Sequence, residues 1–444
     1  MPHELDQILI SASGSEWHAK IREIHARVKR ATYFEDGSQD DDQLNKILGK
    51  VREHRGANSA IIDYTETFDK VQLTSEQLRI SKKELEKAHK ATENNEPKLL
   101  ASLRQAIKNV KKYQTEIFIG NFKHPGIKYT PIKRVGICVP GASAPLPSTV
   151  IMTVVPAQIA GVKEIVVVSP PRYHGSIHPV ILAVCCELKI DEVYRIGGAQ
   201  AVAALAYGTQ TIKPVNKIVG PGNQWVQMAK RKVFGIVDID SIAGPSEVLI
   251  IANERANPSW VAVDMLSQAE HAPGSAVVFT DSQNFAQRTL EALKKQVDEL
   301  SRKEATLKCL LRFGAIIVFE NIKEVITQAN FFAAEHLEIQ CGDDSKKIAD
   351  QIENAGAIFI GNYSPVAVGD YWAGPSHTLP TGTSARFFSA LSANDFIKST
   401  SIIEYDQKKL AESAEDIIRL AEIEGLDAHA KSVKIRQSPL KNDS

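Results

Sequence analysis

Apolar and polar positions repeat along this chain with the periods of both strands and helices. From residue 133 onward, short runs rich in β-branched residues are each followed by an amphipathic helical stretch, after a turn that contains glycine or proline. Strands that alternate with helices in this way are typical of parallel α/β sheets. We therefore expect two α/β units in tandem, which meet near residues 243–247. The predicted strands are RVGICVP, EIVVVSP, EVYRIGG, NKIVGPG, EVLIIA, SAVVFT, AIIVFE and GAIFIG.

Helical periodicity dominates on both sides of that region. Residues 1 to about 130 are polar, with apolar residues at helical spacing, and a helix in this region is predicted to begin at an N-cap formed by Thr74 or Ser75. The stretch DQKKLAESAEDIIRLAEIEGLDAHAKSVKIR predicts two helices hinged at Gly425. The sequence thus predicts an α/β protein with helical N- and C-terminal extensions.

Composition narrows the class of protein. At 444 residues the chain exceeds what one hydrophobic core normally supports, so two or more lobes are expected. Lys and Arg number 53 and so do Asp and Glu, while 43% of residues are hydrophobic. This balance argues against a nucleic-acid-binding protein and against a disordered chain.

The cysteines and the N-terminus favour a cytoplasmic protein that binds no membrane. The N-terminal stretch MPHELDQILISASGSEW has no long apolar core, and no later stretch offers ~18 consecutive apolar residues. The cysteines form no CxxC pair and are expected to be reduced core residues. They are Cys138, Cys185, Cys186, Cys309 and Cys341.

Glycine-rich turns leave the question of a nucleotide site open. VPGASAPLP, IGGAQA and VGPGNQ each follow a predicted strand, but none is a GxGxxG with the expected acidic residue after it. Such glycines often serve packing alone. Gln200, Asn223 and Ser246 are expected at the carboxyl ends of strands or in the loops that follow, where α/β proteins place their sites.

A second group of polar residues indicates a metal site. Gln268 and His271 lie three positions apart on a predicted helix and can converge on one point, although on this pair alone a solvated helix end is the favoured interpretation. Further polar residues lie in AAEHLEI, VGDYWAGPSHTLP and LDAH, and a shared site is the better interpretation. Ligands of these types suit Zn²⁺. Gln268, His271, Asp370 and His429 could provide a set of four.

A family resemblance now becomes apparent. Residues 239–271, IDSIAGPSEVLIIANERANPSWVAVDMLSQAEH, resemble the signature segment of the histidinol dehydrogenase family. GAQAVAALAYGT, KIVGPGN, AAEHLEI, GDYWAGPSHTLPT and EGLDAHAKSVKIR are each similar to family motifs, in family order, so the resemblance covers roughly residues 130–436. It implies oxidation of L-histidinol to L-histidine through L-histidinaldehyde, with two NAD and one Zn²⁺ per subunit, as the last step of histidine biosynthesis.

The resemblance also implies roles for individual residues. His336 would be the base that takes the alcohol proton, and Glu335 would activate the water that attacks the aldehyde. The implied zinc ligands are Gln268, His271, Asp370 and His429. These ligands and His336 would also contact the substrate, together with Ser246, His377 and Glu424.

The implied cofactor contacts include one departure from the family. Gln200 and Asn223 match NAD-contacting positions. The family usually reads Tyr-Val-Pro-Gly-Gly where this chain reads CVPGA, so Cys138 replaces an aromatic contact and Ala142 replaces a glycine. An aromatic platform contributes ~0.5–1.5 kcal/mol beyond area burial, so weaker NAD binding is expected here.

The family's architecture implies two tandem, incomplete Rossmann-like lobes and a homodimer with composite active sites. The predicted first lobe, with the metal and catalytic residues, comprises residues 35–132 and 246–390, and the NAD-binding second lobe comprises residues 133–245. Residues 1–34 would form an N-terminal helical arm. Residues 391–444 would form a C-terminal helical lobe that contributes Glu424 and His429 to the partner subunit's site.

Two other interpretations remain open from the sequence. A related zinc- and NAD-dependent dehydrogenase of another small polar alcohol, such as a sulfonated diol, would keep the same zinc ligands. The cation-friendly residues His377 and Glu424 favour histidinol over such a substrate. A non-catalytic scaffold with this fold is the less favoured alternative, because the set of metal and acid-base residues is complete.

Overall fold

The chain folds into two compact units. The computed structural model describes residues 3–53, 58–141, 144–270 and 273–437. The larger unit comprises Met1–Ile119 and Pro131–Ile397, and the smaller unit comprises Gly120–Thr130 and Lys398–Ser444.

Helices and parallel strands alternate through most of the larger unit. Its helices are α1 (Glu16–Thr32), α2 (Gln39–Glu53), α3 (Ser59–Asp69), α4 (Lys82–Asn95), α5 (Pro97–Glu116), α6 (Pro147–Ile159), α7 (Pro179–Glu187), α8 (Gly198–Tyr207), α9 (Gln224–Val233), α10 (Pro258–Ala269), α11 (Gln283–Val297), α12 (Lys303–Phe313), α13 (Ile322–Phe332), α14 (Ser345–Ala349) and α15 (Val366–Tyr371). The strands, numbered through the whole chain, are β1 (Leu9–Ser11), β2 (Ile127–Pro131), β3 (Arg134–Cys138), β4 (Glu164–Val168), β5 (Glu192–Tyr194), β6 (Lys217–Val219), β7 (Asp238–Ile239), β8 (Glu247–Ala252), β9 (Ser275–Thr280), β10 (Gly314–Val318), β11 (His336–Gln340), β12 (Ala357–Ile360) and β13 (Ile397–Ser401).

Two parallel sheets share one strand order. The five-stranded sheet runs β5-β4-β3-β6-β7, and the six-stranded sheet runs β1-β10-β9-β8-β11-β12. Apart from β1 at one edge, each sheet has its third, second, first, fourth and fifth strands side by side. The order therefore reverses between β3 and β6 in one sheet, and between β8 and β11 in the other. The predicted α/β class with two tandem Rossmann-like sheets is confirmed.

The five-stranded sheet is covered by helices on both faces. Alternate residues of β3 and β4 point to opposite sides, as the pleat requires. Val135 and Ile137 pack in a core with helices α4 to α7, whereas Val166 and Val168 pack in a core with helices α2, α3, α8 and α9. These strands are buried on both faces, which explains why their sequences are nearly continuous apolar runs.

The six-stranded sheet is also covered on both faces. On β8, Val248 and Ile250 face a core that contains residues of α10, α11 and α12. Leu249 and Ile251 face a second core, to which α1, α13 and α14 contribute. The site described below lies at one edge of this sheet.

Two local predictions were wrong or incomplete. The helix predicted to begin at Thr74 or Ser75 begins at Lys82, because Ser81 caps it and forms a capping box with Glu84. Pro97 starts α5, so the predicted helical stretch is two helices. All eight predicted strands are present, whereas β1, β2, β7, β11 and β13 were not among them.

The smaller unit contains two helices and a two-stranded sheet. Strands β2 and β13 pair, and the helices are α16 (Gln407–Ile423) and α17 (Asp427–Lys434). Gly425 lies between the helices with φ of 71°, which confirms the predicted hinge. Across the described ranges, every helix is too short or too polar to cross a membrane.

Candidate active site

Several of the predicted site residues meet at the amino-terminal edge of the six-stranded sheet. Glu335 directly precedes β11, and His336 is its first residue, in register with Val248 on β8 and Ala357 on β12. Ser246 directly precedes β8. The expectation that Ser246 follows a strand was therefore wrong: it lies where the first and fourth strands begin, next to the reversal of strand order.

The orientation of the His336 ring is fixed by the main chain. Nδ1 of His336 lies 2.9 Å from the carbonyl oxygen of Glu247, to which an N–H at this position donates. Nε2 then carries the free lone pair of the neutral ring. Nε2 lies 3.7 Å from Oδ1 of Asp370, and this carboxylate interacts with the ring. The ring is 4% exposed, so Nε2 is a buried base aimed toward Asp370.

A second carboxylate supports the same ring. Oε2 of Glu335 accepts a hydrogen bond from the backbone N–H of Glu247 at 2.8 Å and lies 3.5 Å from Nδ1 of His336. The hydroxyl of Ser246 also donates to Glu335. One polar cluster thus joins the starts of β8 and β11.

Burial and charge shift the protonation of these groups. Burial lowers the pKa of His336, but the carboxylates of Glu335 and Asp370 outweigh it and raise that pKa to about 9. Burial raises the pKa of Glu335. Burial and the neighbouring Glu335 raise the pKa of Glu247 to about 8. Strong shifts in such a cluster are typical of functional sites.

The segment from α15 to the loop after it brings two more predicted residues to the cluster. Asp370 lies near the end of α15 and is 27% exposed. Burial lowers the pKa of His377, and the charges of Asp370 and His336 also act on it. The hydroxyl of Ser376 donates to the carbonyl of Met152 on α6 at 3.0 Å, which anchors this loop to a helix of the five-stranded sheet.

Gln268 lies in the last turn of α10, and the next strand, β9, begins at Ser275 at the same edge of the sheet. Its side chain is 4% exposed, and Nε2 has no hydrogen-bond partner within the described ranges. His271, the predicted ligand three residues later, lies outside the described residues. Glu424 and His429 are exposed in the smaller unit, at the end of α16 and on α17.

These residues fit a zinc site in part. Among the described residues, no group of three or more His, Cys, Asp or Glu side chains could hold a metal ion. That finding does not count Gln268, whose buried Nε2 lacks a hydrogen-bond partner among the described residues; turning the amide by 180° would place Oε1 at that position, and an amide oxygen can bind a metal ion. An amide and a carboxylate oxygen are acceptable ligands for a borderline cation when imidazole nitrogens complete the set.

The predicted cofactor residues lie at the carboxyl-terminal edge of the five-stranded sheet. Cys138 is the last residue of β3, and Asn223 follows β6, so the two flank the reversal of strand order. Gln200 lies in the first turn of α8 and is 1% exposed. Burial raises the pKa of the Cys138 thiol to about 12, so that side chain is a neutral packing group. Parallel sheets bind nucleotides at this kind of position.

The turn before Asn223 is tightly held. Gly220 has φ of 110°, and a Cβ there would come within 2.3 Å of the carbonyl oxygen of Cys138. Its N–H donates to Asp240 at 2.7 Å, and its carbonyl accepts from the buried Lys230 at 3.1 Å. Lys230 and Asp240 also form a buried ion pair. This turn therefore requires glycine, and it places the backbone close to the end of β3.

Sequence reasoning missed three buried carboxyl groups around the site. Glu247, Glu338 and Asp264 lie on β8, β11 and α10, and the two glutamates are 0% and 1% exposed. For the two glutamates the signal was an acidic residue next to apolar strand residues, in EVLIIA and HLEIQ. Carboxyl groups are rarely buried without a partner, so such a position marks a polar cluster.

Comparisons with known proteins agree with the resemblance. A family model described as histidinol dehydrogenase matches residues 31–437. A histidinol dehydrogenase of Rhodopirellula baltica is 46% identical over 384 residues, which are 85% of this chain and 83% of that protein. A histidinol dehydrogenase of Bacillus subtilis is 44% identical over 406 residues, which are 89% of this chain and 94% of that protein. The crystal structure of histidinol dehydrogenase from Elizabethkingia anophelis superposes with a TM-score of 0.88 at 34% identity, covering 98% of both chains.

Proposed function

The chain belongs to the histidinol dehydrogenase family, and on that premise we propose that it oxidises L-histidinol to L-histidine through L-histidinaldehyde, with NAD and zinc. The observation that supports this most directly is the buried Glu335–His336 pair, with Nε2 of His336 3.7 Å from Asp370. This places a base next to a proposed metal ligand, as alcohol oxidation requires.

Four side chains would hold one Zn²⁺ per subunit: Gln268, His271, Asp370 and, from a second subunit, His429. When bound, Zn²⁺ supplies Lewis acidity toward the substrate's alcohol and aldehyde oxygens, and NAD accepts a hydride in each oxidation. The buried amide of Gln268 supports this assignment, because its Nε2 has no described hydrogen-bond partner and a 180° turn would place Oε1 there to bind the ion. Gln200 and Asn223, with the backbone beside Cys138, would hold NAD at the carboxyl edge of the five-stranded sheet.

His336 acts as the base in both oxidations. Its Nδ1–H bond to Glu247 leaves Nε2 to accept the alcohol proton and later a proton of the hydrated aldehyde. With a pKa of about 9 the ring is protonated at neutral pH. Because the Asp370 carboxylate is one cause of that raised pKa, committing Asp370 to a cation lowers the pKa toward the range of a working base.

Glu335 orients and deprotonates the water that adds to the aldehyde. The hydroxyl of Ser246 and the N–H of Glu247 hold its carboxylate in place. Its burial keeps bulk water away, so that the aldehyde is retained between the two oxidations. Ser246 and His377 would contact the substrate, and Glu424 would pair with its ammonium group.

The test is the yield of NADH per L-histidinol with Zn²⁺ present. Two equivalents are expected, with L-histidine as the product, and His336→Ala serves as the inactive control. One equivalent would indicate a simple alcohol dehydrogenase, and none would contradict the proposal.

The proposed composite site has its own test. Glu424 and His429 lie on exposed surface of the smaller unit, where a second subunit can reach them. Mixed dimers of inactive His271→Ala and His429→Ala chains should regain activity, because one of the two sites then has all four ligands. Mixed dimers that remain as inactive as either parent would argue that each chain builds its own site.

A further inference from the structure

Glu338 is a buried carboxyl group that the proposed chemistry does not use. It lies on β11 two residues after His336 and therefore on the same face of the strand. The neighbouring positions on the adjacent strands are Ile250 and Phe359. The side chain is 1% exposed, so this carboxyl group is buried between the sheet and its helices.

Its hydrogen bonds reach two different helices. Oε1 accepts from the backbone N–H of Val366, the first residue of α15, at 3.0 Å. Oε2 accepts from Nε2 of Gln340 at 3.0 Å, and the same Nε2 donates to Oδ2 of Asp264 on α10 at 2.8 Å. Glu338 and Asp264 are also hydrogen-bonded to each other.

Each of these helices carries a proposed zinc ligand one turn further along. Asp370 is four residues after Val366 on α15, and Gln268 is four residues after Asp264 on α10. Helix α15 is only six residues long, so its direction depends on what holds its first turn. A single carboxyl group thus connects the strand of the proposed base with both ligand-bearing helices.

We propose that Glu338 is a positioning residue, which holds α10 and α15 against β11 so that Gln268 and Asp370 meet one metal ion beside His336. This inference rests on the proposed zinc site. Groups that orient metal ligands from behind commonly change metal affinity by about 10- to 100-fold when they are lost.

The charge state of the pair determines which substitution preserves it. Burial, together with the adjacent Asp264 carboxylate, raises the pKa of Glu338 to about 8. At neutral pH Glu338 is therefore a neutral acid whose O–H donates to Asp264, while its carbonyl oxygen accepts from Val366. A glutamine can do both with its N–H and its oxygen, and it gives up only the bond from Gln340, whose Nε2 still donates to Asp264. A leucine fills similar space and can do neither.

The experiment compares Glu338→Leu with Glu338→Gln by direct Zn²⁺ titration against a chromophoric chelator. We expect Glu338→Leu to weaken Zn²⁺ binding by about 10- to 100-fold and Glu338→Gln to stay within about threefold of the unaltered protein. Circular dichroism of both metal-free variants establishes that they are folded. If Glu338→Leu does not fold, Asp264→Leu removes the same bond from the α10 side and is expected to weaken Zn²⁺ binding likewise.

Glu187→Leu is the matched control. Glu187 is a half-buried carboxylate that pairs with Arg104 and His89 beside the five-stranded sheet, away from the proposed ligands. The Glu187→Leu substitution should lower the melting temperature of the protein and leave its Zn²⁺ affinity unchanged. If it weakens Zn²⁺ binding as much as Glu338→Leu does, the effect is general destabilisation and the inference is wrong.

The outcomes separate this inference from the proposed function. If the unaltered protein binds no Zn²⁺, both the proposed function and the positioning role of Glu338 are wrong. If it binds Zn²⁺ and yields two NADH per L-histidinol, but a folded Glu338→Leu binds Zn²⁺ with equal affinity, only the positioning role falls. If Glu338→Gln loses as much affinity as Glu338→Leu, the neutral hydrogen-bonded pair is not what holds the helices, and the inference is again wrong.

Discussion

The two parallel sheets share one strand order but present their candidate residues on opposite edges. In the five-stranded sheet, Cys138 and Asn223 lie at the carboxyl ends of the strands, next to the reversal of strand order. In the six-stranded sheet, Ser246, Glu335 and His336 lie at the amino ends, next to the equivalent reversal. Only the first arrangement is the usual one for α/β proteins.

The difference has an electrostatic meaning. Helices of a parallel sheet run opposite to the strands, so helix N-termini crowd the carboxyl edge and helix C-termini crowd the amino edge. Helix N-termini favour anions such as a pyrophosphate, and helix C-termini favour cations. Helices α8 and α9 begin at the proposed NAD edge, whereas α10 and α13 end at the proposed zinc edge. The same sheet architecture therefore suits an anionic ligand, such as the pyrophosphate of NAD, at the carboxyl edge and a cation, such as Zn²⁺, at the amino edge.

The largest expected effect comes from removing the base at the amino edge. His336→Ala should lower kcat by about 10²- to 10⁴-fold for both L-histidinol and L-histidinaldehyde, because the same nitrogen serves both oxidations. The affinity for NAD should stay within about threefold, since the cofactor is proposed to bind the other sheet. Steady-state kinetics and NAD titration by fluorescence measure the two quantities.

Glu335→Gln, at the same edge of the sheet, should differ from His336→Ala because it affects only one of the two oxidations. It should slow the oxidation of the aldehyde and spare the oxidation of the alcohol. An equal loss of both steps would contradict the separate roles of Glu335 and His336. A large loss of NAD affinity in either variant would contradict the separation of the two edges.

A substitution at the carboxyl edge of the five-stranded sheet should weaken NAD binding and leave the zinc edge unaffected. In Gly220→Ala the new Cβ would come within 2.3 Å of the carbonyl oxygen of Cys138, at φ of 110°. We expect a loss of about 3 kcal/mol of stability from crowding and backbone strain, and a KM for NAD raised about tenfold or more, with zinc affinity unchanged. Gly235→Ala is the control, because its φ is 96° and no described atom lies within 4 Å of the added Cβ. If both variants raise the KM equally, the close approach to Cys138 is not what shapes the NAD site.

The pH dependence of stability should report the buried carboxyl groups of the amino edge. Glu247 has a folded-state pKa of about 8, against an ordinary value of 4.5. Between these values the folded state holds a proton that the unfolded state has lost, so stability falls as pH rises. In the metal-free protein, Glu247→Gln should remove on the order of 2 kcal/mol of the decline between pH 5 and pH 7. Urea unfolding in EDTA at both pH values tests this, and an unchanged slope would show that Glu247 is ionised in the folded protein.

The fold was largely predictable because its strands are apolar on both faces. Eight of the thirteen strands in the described ranges were identified from apolar runs. Among the other five, β11 was missed because Glu338 and Gln340 interrupt its pattern. Those positions are polar because they face the cluster with Asp264 rather than an apolar core. The helix start at Ser81 was also missed, because the capping box with Glu84 competed with a plausible earlier cap.

The candidate site was less predictable from local pattern. Ser246 and Glu335 are about ninety residues apart in sequence, and they meet only because β8 lies beside β11. Strand order follows from how helices cover the whole sheet, and no periodicity in the sequence encodes it. Family resemblance named these residues, whereas Glu247 and Glu338 became visible as site residues only through their burial and hydrogen bonds.

The smallest expected effect separates two roles of one residue at the carboxyl edge. The side-chain oxygen of Asn223 caps α9 by accepting from the N–H of Val226 at 3.2 Å, which leaves its amide N–H₂ for a ligand. Asn223→Ala should cost about 1 kcal/mol of stability, whereas Asn223→Ser keeps a capping oxygen and should cost far less. If Asn223 also contacts NAD, the serine variant should keep its melting temperature yet raise the KM for NAD a few-fold. An unchanged KM in that variant would leave Asn223 as a helix cap alone and would move the proposed cofactor contacts toward Gln200 and the turn at Gly220.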